Sequence, residues 1–273
     1  MSHKLLVLDI DGTLMGRDGS ISPENRRVLA QVRKSDILVS LSTARALQAC
    51  RRIIAELELD GCHIFFDGAL IKNPAHEDEV YKKPIKPQLV KDMLEFARLK
   101  SIHLEVHSAS QVFIEQGHWS IPIRRELFGI EPILASFDGL WRREQIIKVV
   151  SMIESASELE KARLFEDKFK DCVHFSWAMT PTYPDIHFLN LVGLGVTKGR
   201  ALEVLASYLG VSLAEVAVAG DASNDISLLE RAGLSIAMGN ASDEVKAKAD
   251  YVTLDVDQDG LAVAVSKFLL EPR

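Results

Sequence analysis

The chain reads as an α/β protein: a doubly wound parallel sheet whose sequence is interrupted by a compact α+β insertion. Short apolar strands alternate with amphipathic helices at both ends of the chain, the pattern of a parallel sheet covered by helices on both faces. The middle instead reads as a helix followed by a strand pair, near both ends of the interruption. At 273 residues, 47% of them hydrophobic, the chain is long enough for two domains and a sizeable core.

In chain order, the continuous apolar run Lys4–Leu8 predicts a buried strand. Ser22-Pro23 predicts a capped helix running toward Val32, with proline in its first turn. Ile37–Leu41 reads as a strand, Ala46–Leu57 as a helix and His63–Phe66 as a strand. Lys83-Pro84 and Lys86-Pro87 then punctuate the chain and open the insertion, expected over residues 83–192 between core segments 1–82 and 193–273. Inside it, Leu89–Leu99 reads as a helix and Ile102–Val106 with Val112–Glu115 as a strand pair. Ile146–Met152 follows as a strand, Glu158–Phe169 as a helix, and Val173–Trp177 with Ile186–Leu191 as a final pair. Trp119, Trp141 and Trp177, the only tryptophans, all fall here and are expected to fill the insertion's core. After Gly195 the alternation resumes with a helix from Lys198, a strand at Val216–Ala219 and a helix from Asp225. A strand at Leu234–Ala237, a short helix near Glu244–Lys248, a strand at Tyr251–Leu254 and a closing helix to Leu269 complete the chain.

Three strand ends and one helix start carry chemistry. The first strand drives into Asp9-Ile10-Asp11-Gly12-Thr13. Burying an unpaired carboxylate is costly, so these acids should emerge at the strand's carboxyl end, where open α/β sheets bind ligands. Their spacing of two can place both side chains on one side of an extended chain. The bland alternative is an acidic Asp-Gly turn. The run Val39-Ser40-Leu41-Ser42-Thr43-Ala44-Arg45 ends in a hydroxyl before a helical pattern; Thr43 there suits either a phosphate oxygen or a simple helix cap. Lys198 opens a helix whose dipole disfavours a cation, which is explained if it faces an anion or a carboxylate cluster. Finally, Val216-Ala217-Val218-Ala219 ends in Gly220-Asp221-Ala222-Ser223-Asn224-Asp225. Two further acids beside Asp9 and Asp11 describe a hard-cation site, and oxygen ligands with phosphate present favour Mg2+. Two carboxylates about 4 Å apart repel by ~4 kcal/mol at an effective dielectric of about 20, so the cluster calls for a divalent cation and a lysine.

The ordered set Asp9-x-Asp11-Gly12-Thr13, Thr43, Lys198 and Gly220-Asp221-x-x-Asn224-Asp225 resembles the haloacid dehalogenase superfamily, and most closely its Cof-type sugar-phosphatase-like branch. Downstream, Ala237-Met238-Gly239-Asn240-Ala241, Ala249-Asp250-Tyr251-Val252-Thr253 and Asp259-Gly260-Leu261 agree. Departures are modest: Ala44 and Ala222 stand where glycine, or glycine or serine, is usual, and Asp67-Gly68-Ala69 where Asn-Gly-Ala is common. The resemblance implies a Rossmann-like core with an inserted α+β cap domain, and a Mg2+-dependent phosphomonoester hydrolase acting on small phosphorylated metabolites, sugar phosphates above all. It implies Asp9 as nucleophile, Asp11 as acid and base, and Mg2+ held by the Asp9 carboxylate, the Asp11 backbone carbonyl and Asp221. Thr43 and backbone N–H groups near Gly12 and Ala44 would grip phosphoryl oxygens, Lys198 would stabilise charge, and Arg45 would contact the leaving group. Asn224 and Asp225 would orient Lys198 or metal-bound water. A phosphosugar mutase and a non-catalytic sugar-phosphate sensor are the alternatives.

A net charge of -7 argues against general affinity for nucleic acid or anionic membrane. Cys50, Cys62 and Cys172 are odd in number and lack a C-x-x-C pair, so they read as reduced, buried thiols of a cytoplasmic protein. The amino-terminal apolar run is broken by Asp9 and does not read as a signal peptide, and no apolar run approaches a membrane span. Asp255-Val256-Asp257-Gln258-Asp259-Gly260 mimics the start of a calcium loop, but loop position twelve is Ser266 rather than Glu; it reads as a solvated turn.

Overall fold

The computed structural model describes residues 3–76, 79–180 and 183–271. The amino-terminal part of the chain carries β1 (Leu5–Leu8), α1 (Pro23–Arg33), β2 (Leu38–Leu41), α2 (Leu47–Glu56), β3 (His63–Phe65), β4 (Leu70–Lys72) and β5 (Glu79–Lys82). The middle carries α3 (Pro87–Lys100), β6 (Glu105–His107), β7 (Val112–Ile114), α4 (Ser120–Phe128), β8 (Ile133–Leu134), α5 (Leu140–Arg143), β9 (Lys148–Ile153), α6 (Ala156–Phe169), β10 (Val173–Thr180) and β11 (Tyr183–Gly193). The last stretch carries α7 (Lys198–Leu209), β12 (Val216–Gly220), α8 (Ile226–Leu229), β13 (Leu234–Ala237), α9 (Asp243–Lys246), β14 (Tyr251–Val252) and α10 (Gly260–Val265). Two compact units result. One comprises residues 1–45, 51–81 and 197–273, the other 46–50 and 82–196.

The first unit is built on a five-stranded parallel sheet in the order β14-β13-β12-β1-β2. All four residues of β1 are fully buried, which is why it reads as an unbroken apolar run. Each such leucine or valine contributes about 1.5–3 kcal/mol. From β1 the chain proceeds to β2 on one side and returns to β12 on the other. The topological switch, where such sheets bind ligands beyond the strands' carboxyl ends, therefore lies between β1 and β12. Ser22 caps α1 by accepting from the Asn25 N–H, with Pro23 in the first turn. A single parallel bridge, Ser42 to Ile64, attaches β3 beside β2, and β3, β4 and β5 form a small sheet of their own.

The second unit is a six-stranded sheet in the order β10-β11-β9-β6-β7-β8, antiparallel except for β7–β8. Successive side chains of a strand face opposite ways, and β9 shows it. Val149 joins a core with Val90, Met93 and Leu94 of α3 and Phe165 of α6, whereas Val150 and Met152 pack with Phe188 against Ile123 and Leu127 of α4. The tryptophans sit at the rims of these cores instead of filling them. Trp119 donates to Glu158 and Trp177, 39% exposed, donates to Glu166. Indole N–H groups require a partner, and the carboxylates are at the surface. Of the cysteines only Cys50 is buried; Cys62 is half-buried and Cys172 exposed, and none forms a disulfide. No helix among the described residues is long and apolar enough to cross a membrane. The calcium-like run is a short turn capped by Asp255 and paired through Asp255 and Asp257 with Arg17.

Candidate active site

Asp9 stands immediately beyond β1, anchored by its N–H to the Ala219 carbonyl of β12 at 3.0 Å. Its side chain is buried. The chain then turns: the Ile10 carbonyl accepts from both Leu14 and Met15 N–H. The extended-strand argument for pairing Asp9 with Asp11 therefore stops at Asp9. The Asp11 side chain swings outward, 60% exposed, and is clasped by Arg45 Nε at 2.8 Å and Nη2 at 2.5 Å. Gly12 has φ +84°, and a Cβ there would lie 2.3 Å from Asp221 Oδ2, so the turn and the close approach both require glycine.

Lys198 is the first residue of α7, whose cap is the Thr197 hydroxyl accepting from the Arg200 N–H. The Lys198 ammonium is 1% exposed and donates to Asp9 Oδ1 at 2.6 Å and Asp225 Oδ1 at 2.7 Å. Those carboxylates resolve the oddity of a lysine at a helix amino end. Burial alone would pull its pKa down; Asp225 and Asp9 outweigh that and hold it raised, with a smaller contribution from Asp67. The other oxygen of Asp225 accepts from the N–H groups of Asp221 and Ala222, so Asp225 is fully engaged in fixing the lysine and the turn that follows β12.

Asp221 accepts from the Thr13 hydroxyl at 2.7 Å and from Asn240 Nδ2 at 3.2 Å; the same amide group donates to the Gly12 carbonyl at 2.9 Å. One carboxylate oxygen each of Asp9, Asp221 and Asp225 lies within 4.8 Å of the others. Burial pushes Asp221 up to about 7, helped by Asp225 and opposed by the Thr13 hydroxyl. Burial also raises Asp9 well above the usual carboxylate range; Lys198 opposes this, and the neighbouring acids Asp225, Asp221 and Asp11 add to it.

Thr43, buried just past β2, places its hydroxyl as an acceptor for the Arg45 N–H at 3.1 Å. It thus closes a local turn ahead of α2, and its own hydroxyl proton remains for another acceptor. Ala44 follows it in the same loop. Asn224 donates to Asp67 Oδ1 at 2.9 Å, and the partners of Lys198 are Asp9 and Asp225 instead. Arg45 meets Asp11, so its place in the first unit is against the acid. Asp9, Asp11, Gly12, Thr43, Ala44, Arg45, Lys198, Asp221, Asn224 and Asp225 all belong to the first unit. Three polar residues had no role assigned from sequence: Thr13, Asp67 and Asn240. Thr13 and Asn240 lie in motif segments, but only the fold reveals that both address Asp221.

A doubly wound sheet with a carboxylate–lysine cluster at its switch point defines an α/β enzyme with a Rossmann-like core. More particularly, the chain belongs to the haloacid dehalogenase-like hydrolases, whose family model matches residues 6–265. Phosphatase YwpJ of Bacillus subtilis is 30% identical, covering 95% of this chain and 97% of its own. The 5-amino-6-(5-phospho-D-ribitylamino)uracil phosphatase YcsE of the same species is 27% identical over 98% of this chain and 96% of its own. A haloacid dehalogenase-like hydrolase from Bacteroides thetaiotaomicron superposes with a TM-score of 0.84 at 26% identity, covering 97% of this chain and 99% of that one. A subclass IIB sugar phosphatase superposes with a TM-score of 0.79 at 26% identity, covering 97% and 98%. The chain is a hydrolase of this family, and YwpJ and YcsE, which it matches nearly end to end, are named phosphatases.

Proposed function

We propose that the protein is a Mg2+-dependent phosphomonoester hydrolase acting on small phosphorylated metabolites, sugar phosphates foremost, through an aspartyl-phosphate on Asp9. The observation that carries this reading is the Asp9–Lys198–Asp225 chain at the switch point with Asp221 beside it: a buried nucleophile, its counter-charge and a cation site in one place. The sugar-phosphatase neighbour and the phosphatase relatives support the substrate class. The α+β segment over residues 83–192 is read as the cap that selects the leaving group.

The donor set suits Mg2+. Asp9 and Asp221 offer hard oxygen ligands, and their pKa values, raised by burial first and by the neighbouring acids second, record buried charge that a cation would stabilise. With Asp225 committed to Lys198 and two N–H groups, the ion would be held by the Asp9 and Asp221 carboxylates and, as the family resemblance implies, by the Asp11 backbone carbonyl. When bound, the ion would neutralise phosphoryl charge beside Asp9. Thr43, with N–H groups near Gly12 and Ala44, holds phosphoryl oxygens. An Asp9 oxygen attacks phosphorus as the ester P–O bond breaks, and Asp11 gives its proton to the departing alcohol. Asp11 then takes a proton from the water that attacks phosphorus and breaks the Asp9–phosphate bond. Arg45 orients Asp11, and Lys198 stabilises charge on Asp9 and the phosphoryl oxygens.

Release of inorganic phosphate from aryl and sugar phosphates with Mg2+, abolished by chelator and restored by the ion, is the direct test; full turnover in excess chelator contradicts it. Metal binding also has a pH signature. A carboxyl that titrates higher folded than its unfolded value, about 3.9, binds its proton more tightly when folded. Without cation, ionising Asp221 therefore removes stability as pH rises from about 4 to about 7. Mg2+ relieves that loss at about pH 8 but must displace protons at about pH 5. The rise in Tm given by Mg2+ is expected to be larger at the higher pH; equal rises would contradict Asp221 and Asp9 as the ligands.

A further inference from the structure

The loop that follows β3 has no part in the steps above, yet it touches three pieces of the site. Phe66 (φ +52°) and Asp67 (φ +58°) are consecutive left-handed residues, a region that side chains avoid and Asp and Asn tolerate best. Gly68 follows at φ +102°, where a Cβ would lie 2.4 Å from the Thr197 carbonyl, at the cap of the helix that carries Lys198. The loop is held there by backbone bonds from Phe66 N–H to the Arg45 carbonyl (3.1 Å) and from Asp67 N–H to the Thr43 carbonyl (3.0 Å). Strained backbone held this firmly beside a site points to a role in it.

The Asp67 side chain, 5% exposed, accepts from Asn224 Nδ2 at 2.9 Å. The Asn224 carbonyl oxygen is buried and has no hydrogen-bond partner among the described residues, so the bond to Asp67 sets the orientation of that amide. Asn224 lies inside the short turn Ser223–Asp225, whose last residue grips Lys198. We propose that Asp67 is a positioning residue: by accepting from Asn224 it fixes the turn that presents Asp225 to Lys198, and so sets the lysine against Asp9.

The proposal rests on the phosphatase reading and is tested with p-nitrophenyl phosphate and Mg2+. Wild-type turnover tests that reading alone; the variants test this one. Asp67→Gly accepts the left-handed backbone without strain but lacks the acceptor, and kcat is expected to fall about tenfold, the scale of one lost hydrogen bond in a buried site. Asp67→Asn keeps both the backbone preference and an acceptor oxygen, and kcat is expected to stay within about threefold of wild type. In an Asn224→Ala background, Asp67→Gly should cause a much smaller loss, because the hydrogen bond it acts through is gone and only its weaker direct field on Lys198 remains. Wild-type kcat in Asp67→Gly, Asp67→Asn as slow as Asp67→Gly, or an undiminished effect of Asp67→Gly in the Asn224→Ala background would each overturn the proposal.

Discussion

Lys198→Met is expected to lose turnover and fold stability together. The lysine is 1% exposed and bridges Asp9 and Asp225 at 2.6 and 2.7 Å. Methionine fills much of the same volume without charge, leaving two buried carboxylates facing each other with nothing between. Removing one partner of a buried ionic cluster costs about 3–5 kcal/mol, a fall in Tm on the order of 10 °C for a protein of this size. The deficit should shrink as pH falls, because burial raises the Asp9 carboxyl and its protonation ends the repulsion. Phosphate release should fall by roughly 10²–10³-fold, the usual loss when a preorganised charge is taken from a transition state. Calorimetry and a steady-state phosphate assay check both halves. An unchanged Tm would mean that the lysine does not hold the acids apart.

Asp9→Asn is expected to separate what Lys198→Met loses together. The amide is isosteric, keeps an oxygen for Lys198 and removes one of the repelling charges, so the protein should be at least as stable as wild type in chelator. Turnover should fall by roughly 10⁴-fold or more, because on the proposed mechanism the nucleophile itself is gone. A stable Asp9→Asn protein that still hydrolyses at the wild-type rate would remove Asp9 from the chemistry.

Much of this site is legible in the sequence because open sheets concentrate function at strand ends. Asp9, Thr43 and Asp221 each follow a short apolar run, and the run marks a strand whose end must reach solvent or a ligand. Lys198 is legible as an anomaly, a cation where a helix dipole opposes it. Contacts across the fold are a different matter. Thr13 reaches Asp221 across 208 residues, Asn240 reaches Gly12 across 228 and Asn224 reaches Asp67 across 157. No local periodicity encodes such pairings; they follow only once the order β12-β1-β2 is known. Among the elements, β4, β5, α4, β8 and α5 had no prediction. Pro122 inside Ser120–Phe128 obscures a helix that packs under the sheet through Ile123 and Leu127. Two- and three-residue strands such as β4 and β8 are too short for alternation to register.

The central claim is a covalent phosphoryl group on Asp9, and Asp11→Asn makes it observable. An aryl phosphate carries a good leaving group, so forming the intermediate needs little help from an acid, whereas breaking it down needs Asp11 to activate water. Asp11→Asn, mixed with p-nitrophenyl phosphate and Mg2+ and quenched in acid, should release a burst of nitrophenol close to one per enzyme. Peptide mass spectrometry should place one phosphoryl group on the peptide containing Asp9, and none when Asp9→Asn is added. Nitrophenol and inorganic phosphate appearing together with no protein-bound phosphoryl group, or a phosphoryl group on another residue, would contradict the account.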